Sequence, residues 1–208
     1  MPGLSPNLLD VMWPMAAHSL VDGVAASSEV TFAKYGLITA QEVADFMAQC
    51  SEETGGGTAI EENLNYSAAR LCQVWPTRFS SLAAAAPFAH NPRMLADNVY
   101  GGRYGNRPGT DDGWNFRGRG LIQITFRSWY EKIGVEVSLD LAGNPGLVND
   151  PGNILAVAAA FWRLDGVNAF ADKGDFRGET LRVNGGLTNY QLRLQWRARW
   201  RQALGLPK

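Results

Sequence analysis

The chain has 208 residues, 46% of them hydrophobic, and a formal net charge of −1. That is enough apolar material for the core of one domain, or one domain carrying a smaller lobe, and the near-neutral balance excludes a general electrostatic pull towards nucleic acid. Two cysteines, Cys50 and Cys72, do not make a disulfide scaffold and read as small buried thiols.

Met1–Leu20 has no basic n-region and no long apolar stretch, so no secretory signal is visible. Nor is any apolar run long enough to span a bilayer. The expectation is a soluble, cytoplasmically made monomer with no membrane insertion, for which work outside the membrane needs a separate exit route. Residues 4–26 read as helical segments with turns at Pro6 and Pro14, and Lys34–Gly36 as a connector. Thr39 then offers an N-cap with Glu42 three residues on, a capping-box pattern. Val43, Phe46, Met47 and Cys50 follow as an inward stripe. At about 100° per residue, Glu53 and Thr54 continue that stripe, whereas Glu52 points to the opposite face. Gly55, Gly56 and Gly57 end the helix. Glu53 therefore sits at a helix C-terminus facing the protein, where the negative dipole end and partial burial favour a protonated carboxyl.

Glu61 and Glu62 lie beyond the glycine break, and spacing alone does not say which of them faces Glu53. Asn63, Asn65 and Tyr66 are residue types that bind sugar hydroxyls and rings, although Asn65 also suits the N-cap of a helix over 67–75. The composition shifts from Trp75 to Asn98, which predicts short helices forming a small lobe, about 73–98, inserted in a main lobe of about 1–72 and 99–208. Trp75 and Phe79 read as the core of that lobe, and His90 is assigned no chemistry. Gly101–Gly120 is a glycine- and arginine-rich loop without a phosphate-binding pattern. In it, Asp111 and Asp112 are read as ion-paired with Arg117 and Arg119. In Leu121–Thr125 an extended backbone puts Gln123 and Thr125 on one face.

Helices are predicted over 126–134, from Asp150-Pro151 through the apolar Asn153–Leu164, and over about 189–203. No acidic residue follows Glu179, whereas Arg182, Arg193, Arg197, Arg199, Arg201 and Lys208 do. Such a run suits either an anionic polymer or a solvated face balanced by acids elsewhere. Convincing strands are scarce, and the chain is predicted to be mainly α.

Paired carboxylates, one on a helix end and one past a break, are what hydrolysis of a glycosidic bond requires. The segments SEETGGG, EENLNYSAARL, QVWPTRF, YGGRYGN, DDGWNFRGRGLIQIT and VNGG, in this order, resemble the family 19 glycoside hydrolases. The wording is closest to bacterial and bacteriophage members that include endolysins. The resemblance covers about Ala44 to Arg193. It implies a lysozyme-like, two-lobed fold and no metal or organic cofactor. It also implies Glu53 as the general acid, followed by Thr54, and Glu62 rather than Glu61 as the second carboxylate. Gln123, Thr125, Asn184 and Arg193 match its substrate-contacting positions, and Tyr66 joins them as a sugar-binding candidate. This sequence departs from the family at Glu52, usually histidine, at Phe126, usually glycine, and at Trp129, usually asparagine.

The expected chemistry is inverting hydrolysis, with Glu53 protonating the leaving oxygen and Glu62 activating a water across a gap of roughly 6.5–9.5 Å. Peptidoglycan glycan strands are the expected substrate, cut by an endolysin-like enzyme, with chitin as the alternative. A lytic transglycosylase and a non-catalytic cell-wall sugar-binding protein are the rival classes.

Overall fold

The computed structural model describes residues 3–207. Met1 and Pro2 of the leader reading, and Lys208 of the cationic run, lie outside the described residues. The predicted mainly α architecture is found, and the only β pairing among the described residues is two isolated bridges, Glu61–Arg119 and Arg119–Ile124.

Helix α1 spans Pro6–Met12 and α2 spans His18–Tyr35. Pro6 opens α1 instead of making a turn, because proline lacks only an N–H that the first helical turn leaves unpaired. Lys34 and Tyr35 belong to α2, which stops at Gly36 in the left-handed conformation. Helix α3 spans Ala40–Thr54, and both bonds of its capping box are present: Thr39 accepts from the Glu42 N–H and Glu42 accepts from the Thr39 N–H. It ends in three successive left-handed glycines, Gly55 (φ 57°), Gly56 (φ 71°) and Gly57 (φ 80°), a path that residues with a Cβ rarely follow.

Helices α4 (Ala68–Val74), α5 (Leu82–Ala85) and α6 (Pro92–Tyr100) follow. The cap of α4 is Ser67, not Asn65; the Asn65 side chain instead meets the His90 ring at 3.0 Å. Helices α7 (Asp112–Asn115) and α8 (Arg127–Val137) bracket the Leu121–Thr125 segment. That segment is a turn, not an extended run, with Gln123 at φ 52°. The chain closes with α9 (Ile154–Leu164), α10 (Asn168–Ala171), α11 (Phe176–Asn184) and α12 (Tyr190–Ala203).

Buried hydrophobics form two clusters. The larger surrounds α3 and α9, where Phe46 meets the edge of Trp162 at 5.3 Å. The smaller contains Leu64, Leu71, Phe79, Ala85, Leu95, Ala96 and Val99, with Tyr66, Trp75, Tyr100 and Trp114 packed on it. It therefore recruits residues on both sides of 73–98. Cys50 is a buried free thiol and Cys72 a half-buried one, with no bridge between them.

The most extensive helix pairing is α3 against α12. Ser51 anchors one side of it: its Oγ accepts from Trp13 Nε1 (2.8 Å) and Trp200 Nε1 (2.9 Å), and donates to the Met47 carbonyl. Arg197 grips the fully buried Asp45 through two bonds of 2.7 and 3.0 Å. Much of the C-terminal cationic run is thus neutralised internally. Arg182 likewise pairs with Asp165 at 2.9 Å.

Glu179, fully buried on α11, finds no donor for either carboxyl oxygen among the described residues. Burial first, and then the Asp45 carboxylate, push its pKa well above the usual range, with Arg197 opposing. Unfolded, it titrates near ~4.3; above that pH, folding must take up a proton, so stability falls as pH rises towards the folded-state value. Glu179→Gln stays neutral throughout. Its urea-unfolding free energy is therefore expected to decline less between about pH 5 and 8, by up to about 1.4 kcal/mol per pH unit.

Candidate active site

The last turn of α3 carries Glu53, and the helix periodicity puts Gln49 one turn below it on the same face. Both meet Arg193, which projects from the first turn of α12 and is only 3% exposed. Its Nη2 donates to Glu53 Oε1 at 2.6 Å and its Nη1 to Gln49 Oε1 at 2.6 Å. Gln49 in turn donates to Thr180 Oγ1 on α11 at 2.9 Å. The guanidinium fixes which way the Glu53 carboxyl points.

Thr54, expected to bind substrate, lies inside the protein. It is fully buried, its Oγ1 donates to the Cys50 carbonyl (2.7 Å) and accepts from the Gly57 N–H (2.8 Å). No part of it reaches the surface. It closes the glycine turn that ends α3.

Beyond that turn the structure separates the two glutamates that spacing left equivalent. Glu61 is gripped by Arg117 and by Arg119, whose Nε lies at 2.9 Å. Among the described residues Glu62 has no such cation. Tyr100 Oη donates to its Oε1 at 2.6 Å, and the Gly118 N–H donates to its Oε2 at 3.2 Å. The Glu62 N–H also donates to the Gly118 carbonyl at 2.9 Å. A Cβ at Gly118 would lie 2.9 Å from Gln123 Oε1 and 3.3 Å from Glu62 Cβ, so a larger residue there requires the Gln123 amide to shift. Burial, then the Glu62 charge, raise the Tyr100 pKa far above its usual value, so its hydroxyl stays a donor.

Asp111 and Asp112 are ion-paired, but with other arginines than expected. Asp111 meets Arg93 at 3.2 Å. Asp112, almost completely buried, meets Arg107 and Arg127 at 3.1 and 2.7 Å. Burial alone raises its pKa, yet the two guanidiniums outweigh that and hold it well below the carboxylate range.

Gln123 and Thr125 line a groove of about 330 Å³ together with Phe126, Trp129, Arg182 and Val183. The turn achieves what an extended segment was expected to do. Gln123 Nε2 donates to the Ala59 carbonyl (3.2 Å), tying the groove to the loop between the glutamates. Thr125 Oγ1 donates to the Gln123 carbonyl at 3.0 Å, which leaves its lone pairs free to accept. Asn184, next to Val183, closes α11, and its Nδ2 donates to the Gly186 carbonyl at 3.2 Å. Tyr66 is half-buried, packs edge-on to Trp75 at 5.5 Å, and has its pKa raised by burial and then by Glu62.

Sequence reasoning missed Tyr100 and Gln49. Gln49 was legible, being four residues before Glu53 on one helix face; Tyr100 carried no periodic signal. Among the described residues no three His, Cys, Asp or Glu side chains gather as metal ligands.

Comparison with known proteins adds to this geometry. A family model described as chitinase class I matches residues 19–169. The chain is 33% identical to a glycosyl hydrolase family 19 domain-containing protein of Haemophilus influenzae, over 88% of each chain. It is 33% identical to an acidic 27 kDa endochitinase of Solanum lycopersicum over 66% of this chain and 43% of that relative. Among solved structures, a bacterial family 19 chitinase superposes with a TM-score of 0.61 at 22% identity, covering 98% of this chain and 95% of the other. A class IV chitinase of Zea mays gives 0.59 at 16% identity over 98% and 94%. These two likenesses establish the fold.

Removing one partner of a buried ion pair leaves the other charge stranded. Arg193→Ala is expected to lower the urea-unfolding free energy by about 3–5 kcal/mol.

Proposed function

The chain belongs to the family 19 glycoside hydrolases and is a glycoside hydrolase of the chitinase family, and from that premise we propose that Glu53 is its proton donor and Glu62 its general base in an inverting cleavage of amino-sugar glycans. The observation that carries this reading is the contrast between Glu61 and Glu62. Glu61 is paired with two arginines, whereas Glu62 is held by a tyrosine hydroxyl and a backbone N–H.

Glu53, protonated, donates to the leaving glycosidic oxygen. Arg193 orients that carboxyl and then stabilises the carboxylate the transfer leaves behind. Glu62 takes a proton from a water on the opposite face of the sugar as that water attacks the anomeric carbon. Thr125 accepts from that water, and Gln123 and Asn184 orient the sugar.

The polymer we favour is peptidoglycan, in line with the endolysin-like wording of the motifs and with a match that runs along 88% of a bacterial relative. The second reading is chitin, favoured by the names of the tomato and structural relatives. Release of the enzyme to the wall by a separate route belongs to the first reading. Incubating the purified enzyme with peptidoglycan sacculi and with chitin oligosaccharides separates the two. Reducing ends of inverted anomeric configuration, followed by NMR during turnover, support the mechanism. A 1,6-anhydro product would replace it with a transglycosylase, and absence of any product with a sugar-binding protein.

Glu53→Gln and Glu62→Gln are expected to lower kcat by at least about 100-fold, the scale of a lost general acid or base, with little change in Tm for Glu62→Gln and a lower Tm for Glu53→Gln, which leaves the buried Arg193 without its carboxylate. Glu61→Gln is expected to do the reverse, lowering Tm while kcat stays within a few-fold.

A further inference from the structure

Six non-glycine residues among those described adopt a positive φ, and three of them gather around the groove: Tyr104 (φ 43°), Gln123 (φ 52°) and Phe126 (φ 75°). Such conformations persist only where surrounding contacts impose them, and they concentrate at ligand clamps. Phe126 is the most demanding of the three, with ψ 142°.

The contacts that impose them are visible. The Tyr104 and Phe126 rings lie 4.7 Å apart, tilted by 58°. The Arg103 guanidinium sits over both, 5.7 and 5.4 Å from the ring centres. The Tyr104 carbonyl accepts from the Ser128 N–H at 3.2 Å, and the Phe126 N–H donates to the Phe116 carbonyl at 2.8 Å. Phe126 lines the groove, whereas Tyr104 is 66% exposed. An aromatic side chain held rigidly yet left in solvent presents a large apolar face at little entropic cost on binding. The C–H face of a pyranose ring is the complementary surface.

The pair also reaches the reacting centre. Phe126 packs edge-on against Tyr100 at 5.5 Å, and Tyr100 is the residue whose hydroxyl donates to Glu62. A sugar stacked on these rings therefore lies on the Glu62 side of the groove.

We propose that Tyr104, buttressed by the tilted Phe126 ring, forms a preorganised stacking platform for one amino-sugar ring of the glycan and sets the affinity for that ring. The proposal rests on the glycan-hydrolase reading of the site. Isothermal titration of a peptidoglycan tetrasaccharide and of a chitin hexasaccharide tests it, in a Glu53→Gln background that prevents turnover. Tyr104→Ala in that background is expected to weaken the tighter-binding oligosaccharide by about tenfold, the upper end of what one aromatic contact supplies. Tyr104→Phe, which keeps the ring, is expected to bind within twofold of the parent. In the active enzyme Tyr104→Ala is expected to raise KM by a similar factor with kcat nearly unchanged. Because Tyr104 is exposed, its Tm is expected to stay close to the parent value.

Unchanged binding by Tyr104→Ala overturns the platform and leaves the Glu53–Glu62 mechanism standing. So does equal weakening by Tyr104→Phe, whereas failure of both oligosaccharides to bind the parent overturns the platform and the glycan-hydrolase reading together. Oligosaccharide binding that depends on Tyr104, in an enzyme that hydrolyses neither polymer, supports the platform while overturning the catalytic reading.

Discussion

The contact on which the rest of the molecule depends is that of the buried Arg193 guanidinium with α3. One planar cation joins the carboxylate at the helix end, the amide one turn below it and, at 3.4 Å, the Thr188 carbonyl in the turn before α12. Arg197 repeats the arrangement one turn along α12, against Asp45. Burying one guanidinium and partly burying another is unfavourable unless their donors are satisfied, which ties the seam between α3 and α12 to the arrangement that satisfies them. A hydrophobic seam would have packed as well and left Glu53 free to swing. Here the fold and the orientation of the acid are set by the same bonds.

The acidic residues of the molecule divide by what faces them. Asp112 and Glu61 each meet two arginines, and their charge is used to hold loops together. Glu179 faces another carboxylate in a dry interior and keeps a proton. Glu62 alone of the pair at 61–62 is held by neutral donors, which orient a carboxylate without cancelling its charge. Glu53, Glu61 and Glu62 thus become distinct chemical objects through Arg193, Arg117, Arg119, Tyr100 and Gly118, all far from them in sequence.

That distinction marks how far the sequence could be read. The capping box at Thr39, the helical stripe leading to Glu53 and the glycine stop are local and legible, because each depends on residues within a few positions. The apolar run of α9 announced the centre of the larger core. The preference for Glu62 over Glu61 rested on resemblance alone, since Arg117, Gly118 and Tyr100 come from far along the chain. Thr54 shows the same limit: its position beside the acid was visible, but its burial within the glycine turn was not. The groove segment shows a different failure. Gln123 and Thr125 do line one surface, yet through a left-handed turn that no period-two pattern describes.

Ser51 carries one more implication. A single hydroxyl accepts from two indoles, one before α2 and one near the C-terminal end of the chain, and donates back to its own helix. Hydrogen bonds are directional, so two donors converging on one oxygen act as an angular key. They fix the roll of α3 about its own axis, as the arginines do from another side. The bearing of Glu53, two residues further on, is therefore a property of the assembled bundle and not of the helix end that carries it.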